Sequence, residues 1–192
     1  MSRDVGGLVD KEALGKALLQ TAYLEGDFLL RSGRRSKYYL DKYLFETEPR
    51  VLRGIVQGLA GLVRERLAAG AVYDRLAAPE LGGVVLGAGL SLELGLPLLL
   101  VRKAAKEYGT VKRIEGKFEP GERVAVIEDI VTSGGAAIQA TEALRESGLL
   151  VQDLYCVVDR EEGGREGAAQ AGLTLRSLFT SSSLGIGGPM ER

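Results

Sequence analysis

The sequence predicts an α/β protein: a mainly parallel central sheet flanked by helices, with a small hairpin-like element ahead of it. Three observations carry that reading. Short, almost wholly apolar runs such as LPLLLV, VAVI and LYCVV recur through the chain, as expected of strands covered on both faces. Segments with helical spacing separate them. A Gly-rich loop then follows directly on one of the runs and opens a helix, in VAVIEDIVTSGGA. With 192 residues, 45% of them hydrophobic and 27% charged, the chain is long enough for one domain with an ample core.

Taken in order, residues 10–24 have helical spacing behind an Asp at the cap position. Residues 28–45, FLLRSGRRSKYYLDKYLF, read as two short strands around Ser32–Gly33. A helix is predicted over 49–69, with Pro49 in its first turn and a break near Gly70. A strand near 73–78 leads to a helix after Gly82–Gly83, then a strand over 97–102. Residues 103–119, KAAKEYGTVKRIEGKFE, lack a clean helical stripe and hold five basic residues and two glycines. They fit a solvated charged loop, or a lid whose charge suits a pyrophosphate. Strands at 123–128, 151–158 and 173–179 complete the sheet, with a helix after the first and a short helix around 164–171. The tail SSSLGIGGPMER is expected to be loosely ordered beyond a short turn. No internal repeat is present.

The stretch from Val124 to Ala136 carries the chemistry. An apolar strand runs into two adjacent carboxylates, Glu128 and Asp129, then the small residues Thr132, Ser133, Gly134 and Gly135. Glycines after a strand often make only a tight turn, and an acid at a strand end is often only a helix cap. Paired carboxylates are different: they repel each other and add nothing to an apolar strand, so a ligand or cation is expected to compensate them. Together these parts suit a ribose phosphate. Carboxylates accept from sugar hydroxyls, while the loop's N–H groups and the helix N-terminus hold the phosphate. A Walker-type loop would need Lys where Ala136 stands, and a dinucleotide fingerprint would put glycines where the acids are.

Composition excludes several other chemistries. The chain has no histidine, so imidazole bases, histidine triads and His-ligated zinc are absent. Its single cysteine, Cys156, lies in an apolar run and reads as a buried structural thiol rather than half of a disulfide. A net charge of −1 offers no basic excess for nucleic acid. No apolar run reaches membrane-spanning length, and the N-terminal residues lack a signal-peptide pattern, so a soluble cytoplasmic protein with no membrane partner is expected.

The landmarks FLLRSGRRSKYY, APELGG, VRKAAKEYG, VIEDIVTSGG and VVDREEGG, in that order, resemble the orotate phosphoribosyltransferase family over nearly the whole length. The resemblance implies a type I phosphoribosyltransferase fold in one domain, 1–192. Residues 1–47 would form a hood and base-pocket element, 48–180 the core that binds phosphoribosyl pyrophosphate (PRPP), and 103–119 a flexible catalytic loop. It implies transfer of the phosphoribosyl group of PRPP to orotate, giving orotidine 5′-monophosphate and pyrophosphate, a pentosyl transfer in UMP biosynthesis. Mg²⁺ would be bound mainly through PRPP, and a homodimer would share the catalytic loop across its interface.

Residue by residue, the resemblance places Arg31 near the base and pyrophosphate, and Tyr38 and Tyr39 along the orotate pocket. Without it, the tyrosine pair fits a half-buried edge strand equally well. Pro79 to Gly83 match the pyrophosphate loop; Arg102, Lys103, Lys106 and Tyr108 fall on the catalytic loop. Glu128 and Asp129 match the ribose binders, and Thr132 to Gly135 the 5′-phosphate loop. Lys103, Lys106 and Asp129 would be catalytic. Arg160 matches the arginine that recognises the orotate carboxylate; alone it would read as a salt bridge to its acidic neighbours. The chain departs from many members at Glu80, where a basic residue is common, at Tyr108, where several have histidine, and at Ala136, where many have Ser or Thr. Two other functions keep parts of this pattern: transfer to uracil or a purine, and a PRPP-sensing regulator that binds nucleic acid.

Overall fold

The computed structural model describes residues 10–29, 35–103 and 113–186. The described residues open with helix α1 (Lys11–Ala22), whose cap residue Asp10 accepts through its side chain from the N–H groups of Glu12 and Ala13 at 3.1 and 3.0 Å. Strands β1 (Tyr23–Leu29) and β2 (Arg35–Leu40) form a separate antiparallel pair, with Tyr23 opposite Leu40 and Glu25 opposite Tyr38. The helix therefore stops at Ala22, two residues before the expected end, because Tyr23 is already in the ladder.

The second expected strand is also shorter than the reading of 28–45. It ends at Leu40, and residues Lys42–Thr47 form a helix, α2. Two local bonds explain the switch. Asp41 N–H donates to Ala22 O at 2.8 Å, closing the hairpin, and its carboxylate accepts from Tyr43 N–H at 3.1 Å as an N-cap. Alternation of aromatic and polar residues through YYLDKYLF hides that cap. Helix α3 (Pro49–Ala68) follows at once, with Glu48 as cap and proline at its start, burying Val51, Ile55, Leu59 and Val63 at four-residue spacing.

The remaining elements are β3 (Arg75–Pro79), α4 (Gly82–Leu94), β4 (Leu98–Val101), β5 (Ile114–Glu115), β6 (Arg123–Val131), α5 (Gly135–Glu146), β7 (Leu150–Asp159), α6 (Gly164–Gln170) and β8 (Thr174–Thr180). The six-stranded sheet has the order β5-β4-β3-β6-β7-β8. Every pairing is parallel except β4 with β5. The charged segment 103–119 thus contains a two-residue edge strand, Ile114–Glu115, which pairs with β4 and shortens the expected loop. Described residues of the tail make the expected turn, and Ile186 is buried, its N–H bonded to Ser181 O at 3.0 Å.

Helices cover both sheet faces, so each strand feeds two cores. On one face Ala125 and Ile127 of β6 pack with Tyr155, Leu76 and the apolar stripes of α1 to α4. On the other, Val124 and Val126 meet Leu99, Leu154, Cys156 and residues of α5 and α6. This alternation is the period of two expected of a pleated strand. Cys156 is fully buried, as its apolar setting predicts, and burial pushes its thiol well above the ordinary range. At the amino ends of the strands Tyr73 Oη donates to Asp153 Oδ2 at 2.7 Å, and Arg176 Nε donates to Asp153 Oδ1 at 3.3 Å.

Chain order reverses between β3 and β6, which makes this the place where a doubly wound sheet opens a crevice. The β3–β6 ladder ends at Ala77 opposite Val126, whereas β3 stays paired with β4 as far as Pro79 and β6 with β7 as far as Val131. The central strands therefore part just before Glu128. Phe45, fully buried, fixes α2 beside this opening. Replacing Phe45 with alanine should lower the unfolding free energy by about 3–5 kcal/mol, read from urea denaturation.

Candidate active site

Glu128 and Asp129 lie within β6, three and two residues before its end, rather than at the strand end as the sequence suggested. Parting of β3 from β6 gives these buried acids their space. Glu128 is 7% exposed and Asp129 3%. Both are bent toward the backbone: Asp129 N–H donates to Glu128 Oε1 at 3.1 Å, and Ile130 N–H donates to Asp129 Oδ1. Asp129 follows the alternation of Ala125 and Ile127 and meets α2 and α4. Its Oδ2 accepts from Lys42 Nζ at 2.6 Å.

Burial, followed by the neighbouring Asp129 charge, raises the Glu128 carboxyl well above the usual carboxylate range. Glu46 of α2 is also buried, and burial followed by the Asp129 charge pushes it up to about 7. Burial draws the Lys42 ammonium down, but its hydrogen bond to Asp129 and the charges of Asp129 and Glu128 leave it raised on balance. Sequence reasoning missed Lys42 and Glu46 because it placed both in or beside a strand. Their signal was the Asp41 cap, which starts a helix and turns them toward β6.

Gly82, the first residue of α4, closes the other side of the carboxylates. A Cβ there would stand 1.7 Å from Asp129 Oδ2 and 2.8 Å from Glu46 Oε1, so no larger residue fits. The preceding loop contains a cis peptide between Glu80 and Leu81. Glu80, the departure from a basic residue, has a structural partner: its Oε1 accepts from Lys103 N–H at 2.8 Å. It ties the β3 loop to the start of segment 103–112, whose two ends are pinned where Arg102 N–H donates to Arg113 O at 2.8 Å. Arg102 is partly buried and Lys103 exposed. Arg31, Lys106 and Tyr108 lie outside the described residues.

Beyond Val131 the chain turns through Thr132 and Ser133, both exposed, to Gly134 at φ 81°, a left-handed conformation that favours glycine. Gly134 is the N-cap of α5 and offers no side-chain cap, so the first N–H groups of a 12-residue helix, beginning at Gly135, stay available to an anion. Ala136, also exposed, stands in that first turn. The carboxylates and the uncapped turn thus sit at one carboxyl end of the sheet.

Arg160 follows β7 at the same end, its N–H donating to Val131 O at 2.8 Å. Its guanidinium lies 5.2 Å from the centre of the Tyr38 ring and donates from Nη2 to Tyr38 Oη at 3.0 Å. It also pairs with Glu162 at 3.1 Å, the acidic neighbour that the isolated sequence suggested. Tyr38 stacks on Tyr23 at 5.5 Å. The hairpin therefore brings Tyr38, but not Tyr39, to Arg160: Tyr39 is the next residue of the strand, 40% exposed, and meets Phe28 at 5.6 Å. Two buried polar atoms around this end, Arg102 Nε and Arg160 Nε, have no hydrogen-bond partner. Such atoms favour a polar ligand.

Glu46 is faced by Asp129, Lys42 and Asp41. Its folded-state value of about 7 lies above the ordinary 4.5, so the protonated form is favoured in the folded chain. The stability associated with that proton is complete below the unfolded value and is lost as pH rises through about 7. Glu46→Gln should therefore raise Tm by about 3 °C at pH 8 and leave it nearly unchanged at pH 4, read by scanning calorimetry.

Comparison with known proteins follows the same geometry. The phosphoribosyl transferase domain family matches residues 47–171. An orotate phosphoribosyltransferase of Methanocella arvoryzae is 49% identical over 172 residues, 89% of this chain and 95% of that protein. Among solved structures, orotate phosphoribosyltransferase from Aeropyrum pernix superposes with a TM-score of 0.75 at 31% identity, covering 89% of this chain and 96% of that one. The Mycobacterium tuberculosis H37Rv enzyme in complex with PRPP has a TM-score of 0.74 at 29% identity, covering 92% and 99%. A crevice at the β3–β6 switch point, an uncapped helix N-terminus beside paired acids, and these likenesses together make the chain a member of the orotate phosphoribosyltransferase family.

Proposed function

We infer that the chain is an orotate phosphoribosyltransferase, joining orotate to the phosphoribosyl group of PRPP with release of pyrophosphate in pyrimidine biosynthesis. The observation that carries this reading is the placement of two unlike subsites at one sheet end. One pairs acids with an open helix N-terminus, and the other pairs Arg160 with Tyr38. Sugar hydroxyls and a 5′-phosphate suit the first. A planar, anionic base suits the second, where a guanidinium beside an aromatic ring can bond a carboxylate and stack on a ring.

In this reading Glu128 and Asp129 accept from the ribose hydroxyls, while Thr132, Ser133, Gly134 and Gly135 hold the 5′-phosphate. Backbone groups of the Pro79 to Gly83 loop face the pyrophosphate, with Arg102, Lys103, Lys106 and Tyr108 closing over it from the catalytic loop. Arg31 and Tyr39 complete the hood side. The C1–O bond loosens toward an oxocarbenium-like ribose while negative charge grows on the pyrophosphate. The basic residues of the loop lower the energy of that charge best when water is excluded. With no histidine in the chain, the proton lost from the base passes to a carboxylate, lysine, tyrosine or water.

Mg²⁺ fits the donor set: Glu128 and Asp129 present hard carboxylate oxygens at this end. Among the described residues no three His, Cys, Asp or Glu side chains stand together as a metal cage. The ion would be held mainly by the oxygens of PRPP, where it supplies neutralisation of the departing pyrophosphate. A homodimer that shares the catalytic loop and a cytoplasmic setting belong to the same reading. No helix among the described residues is long and apolar enough to cross a membrane.

An activity screen of PRPP and Mg²⁺ against orotate, uracil and the purine bases tests the reading directly: orotate should be the base consumed, and turnover of uracil or a purine instead would reassign the base. Arg160→Leu should raise the KM for orotate about 10–100-fold, the loss of a charge-assisted pair, with little change in the KM for PRPP. Lys106→Ala should cut kcat far more than it weakens PRPP binding, measured by steady-state kinetics beside calorimetry. Equal losses in the two assays would remove Lys106 from the transition state.

A further inference from the structure

Asp129 is held by a residue far away in sequence. Lys42 is the first residue of α2, and its Nζ lies 2.6 Å from Asp129 Oδ2, with the lysine side chain 30% exposed and the aspartate 4%. The opposite side of the carboxylate is closed by the Gly82 backbone, where even a methyl group would collide with Oδ2. Glu46, one turn along α2, is buried beside Asp129 against the same glycine. Glu128, the adjacent acid, completes a set of three buried carboxyl groups around one ammonium.

That arrangement defines a task. A carboxylate accepting from a sugar hydroxyl has to keep a free lone pair aimed outward. Asp129 sits beside the buried carboxyl groups of Glu128 and Glu46, whose like charge would push it out of position. Lys42 offsets them. Lys42 and the Ile130 N–H occupy one lone-pair direction on each oxygen, and a carboxylate has about four such sites. Acceptor capacity therefore remains after both bonds are made. Lys42 also follows directly on β2, which carries Tyr38 to Arg160, so one backbone segment serves the base side and the sugar side.

We propose that Lys42 is a positioning residue for ribose recognition: it acts through Asp129, holding that carboxylate oriented toward the PRPP hydroxyls. The proposal rests on the reading of Asp129 as a ribose binder. A lysine that only stabilised the fold would alter Tm and leave substrate discrimination alone.

Lys42→Met, Lys42→Gln and Lys42→Arg separate these cases, assayed well below each variant's measured Tm. Lys42→Met and Lys42→Gln should raise both the KM and the calorimetric Kd for PRPP with Mg²⁺ about tenfold, leaving the orotate KM at saturating PRPP within about twofold. Lys42→Arg, which keeps the charge, should recover most of the loss. In an Asp129→Asn background, Lys42→Met should bring little further change, because the coupled partner is already gone. A PRPP Kd within about twofold of wild type in folded Lys42→Met, or the same loss with and without Asp129→Asn, would overturn the proposal. Wild-type protein that binds PRPP yet forms no orotidine 5′-monophosphate would instead strike the functional reading, and PRPP calorimetry would still decide the role of Lys42.

Discussion

Two carboxylates buried near the end of a central parallel strand impose the constraint on which the site depends. Glu128 and Asp129 sit where an apolar strand would normally continue, and β6 does continue beyond them to Val131. Three features make this tolerable. The β3–β6 ladder ends at Ala77 and Val126, opening space beside the acids. Backbone N–H groups of Asp129 and Ile130 donate to the two carboxylates. Lys42 contributes an ammonium bonded to Asp129. Removing either partner from a buried ion pair is costly because the remaining charge is left uncompensated, so α2 and β6 are bound to each other by chemistry as well as by the packing of Phe45.

That constraint connects sites that are far apart along the chain. Helix α2 exists because Asp41 caps it, and it lies correctly because Phe45 is fully buried. The same segment continues from β2, where Tyr38 sits between Tyr23 and the Arg160 guanidinium. The hairpin outside the main sheet is thus positioned at both of its shoulders, through Arg160 on the β7 side and Lys42 on the β6 side. Gly82 has the complementary role: only a residue without a side chain lets α4 start against the acids.

Glu80 shows how a departure from a family pattern finds its own structural partner. Its carboxylate accepts from the N–H of Lys103 and so fastens the β3 loop to the start of segment 103–112. The short strand β5, with the Arg102–Arg113 pairing, fastens the other end.

The fold class, the alternation of helices and strands and the apolar strand that runs into a small-residue turn and a helix between Val124 and Gly135 were determined by sequence alone, because hydrophobic period and small-residue loops are local signals. The same holds for the buried state of Cys156, set by its apolar neighbours. Tertiary structure decided what depends on residues meeting across the chain. It turned Lys42–Thr47 into a helix, since one cap bond at Asp41 outweighed an alternating pattern, and thereby brought Lys42 and Glu46 to Asp129. It chose Tyr38 over Tyr39 for Arg160, because neighbouring residues of a strand point to opposite faces. It also placed the acids within β6 rather than at its end, a position that only the divergence of β3 makes physically possible.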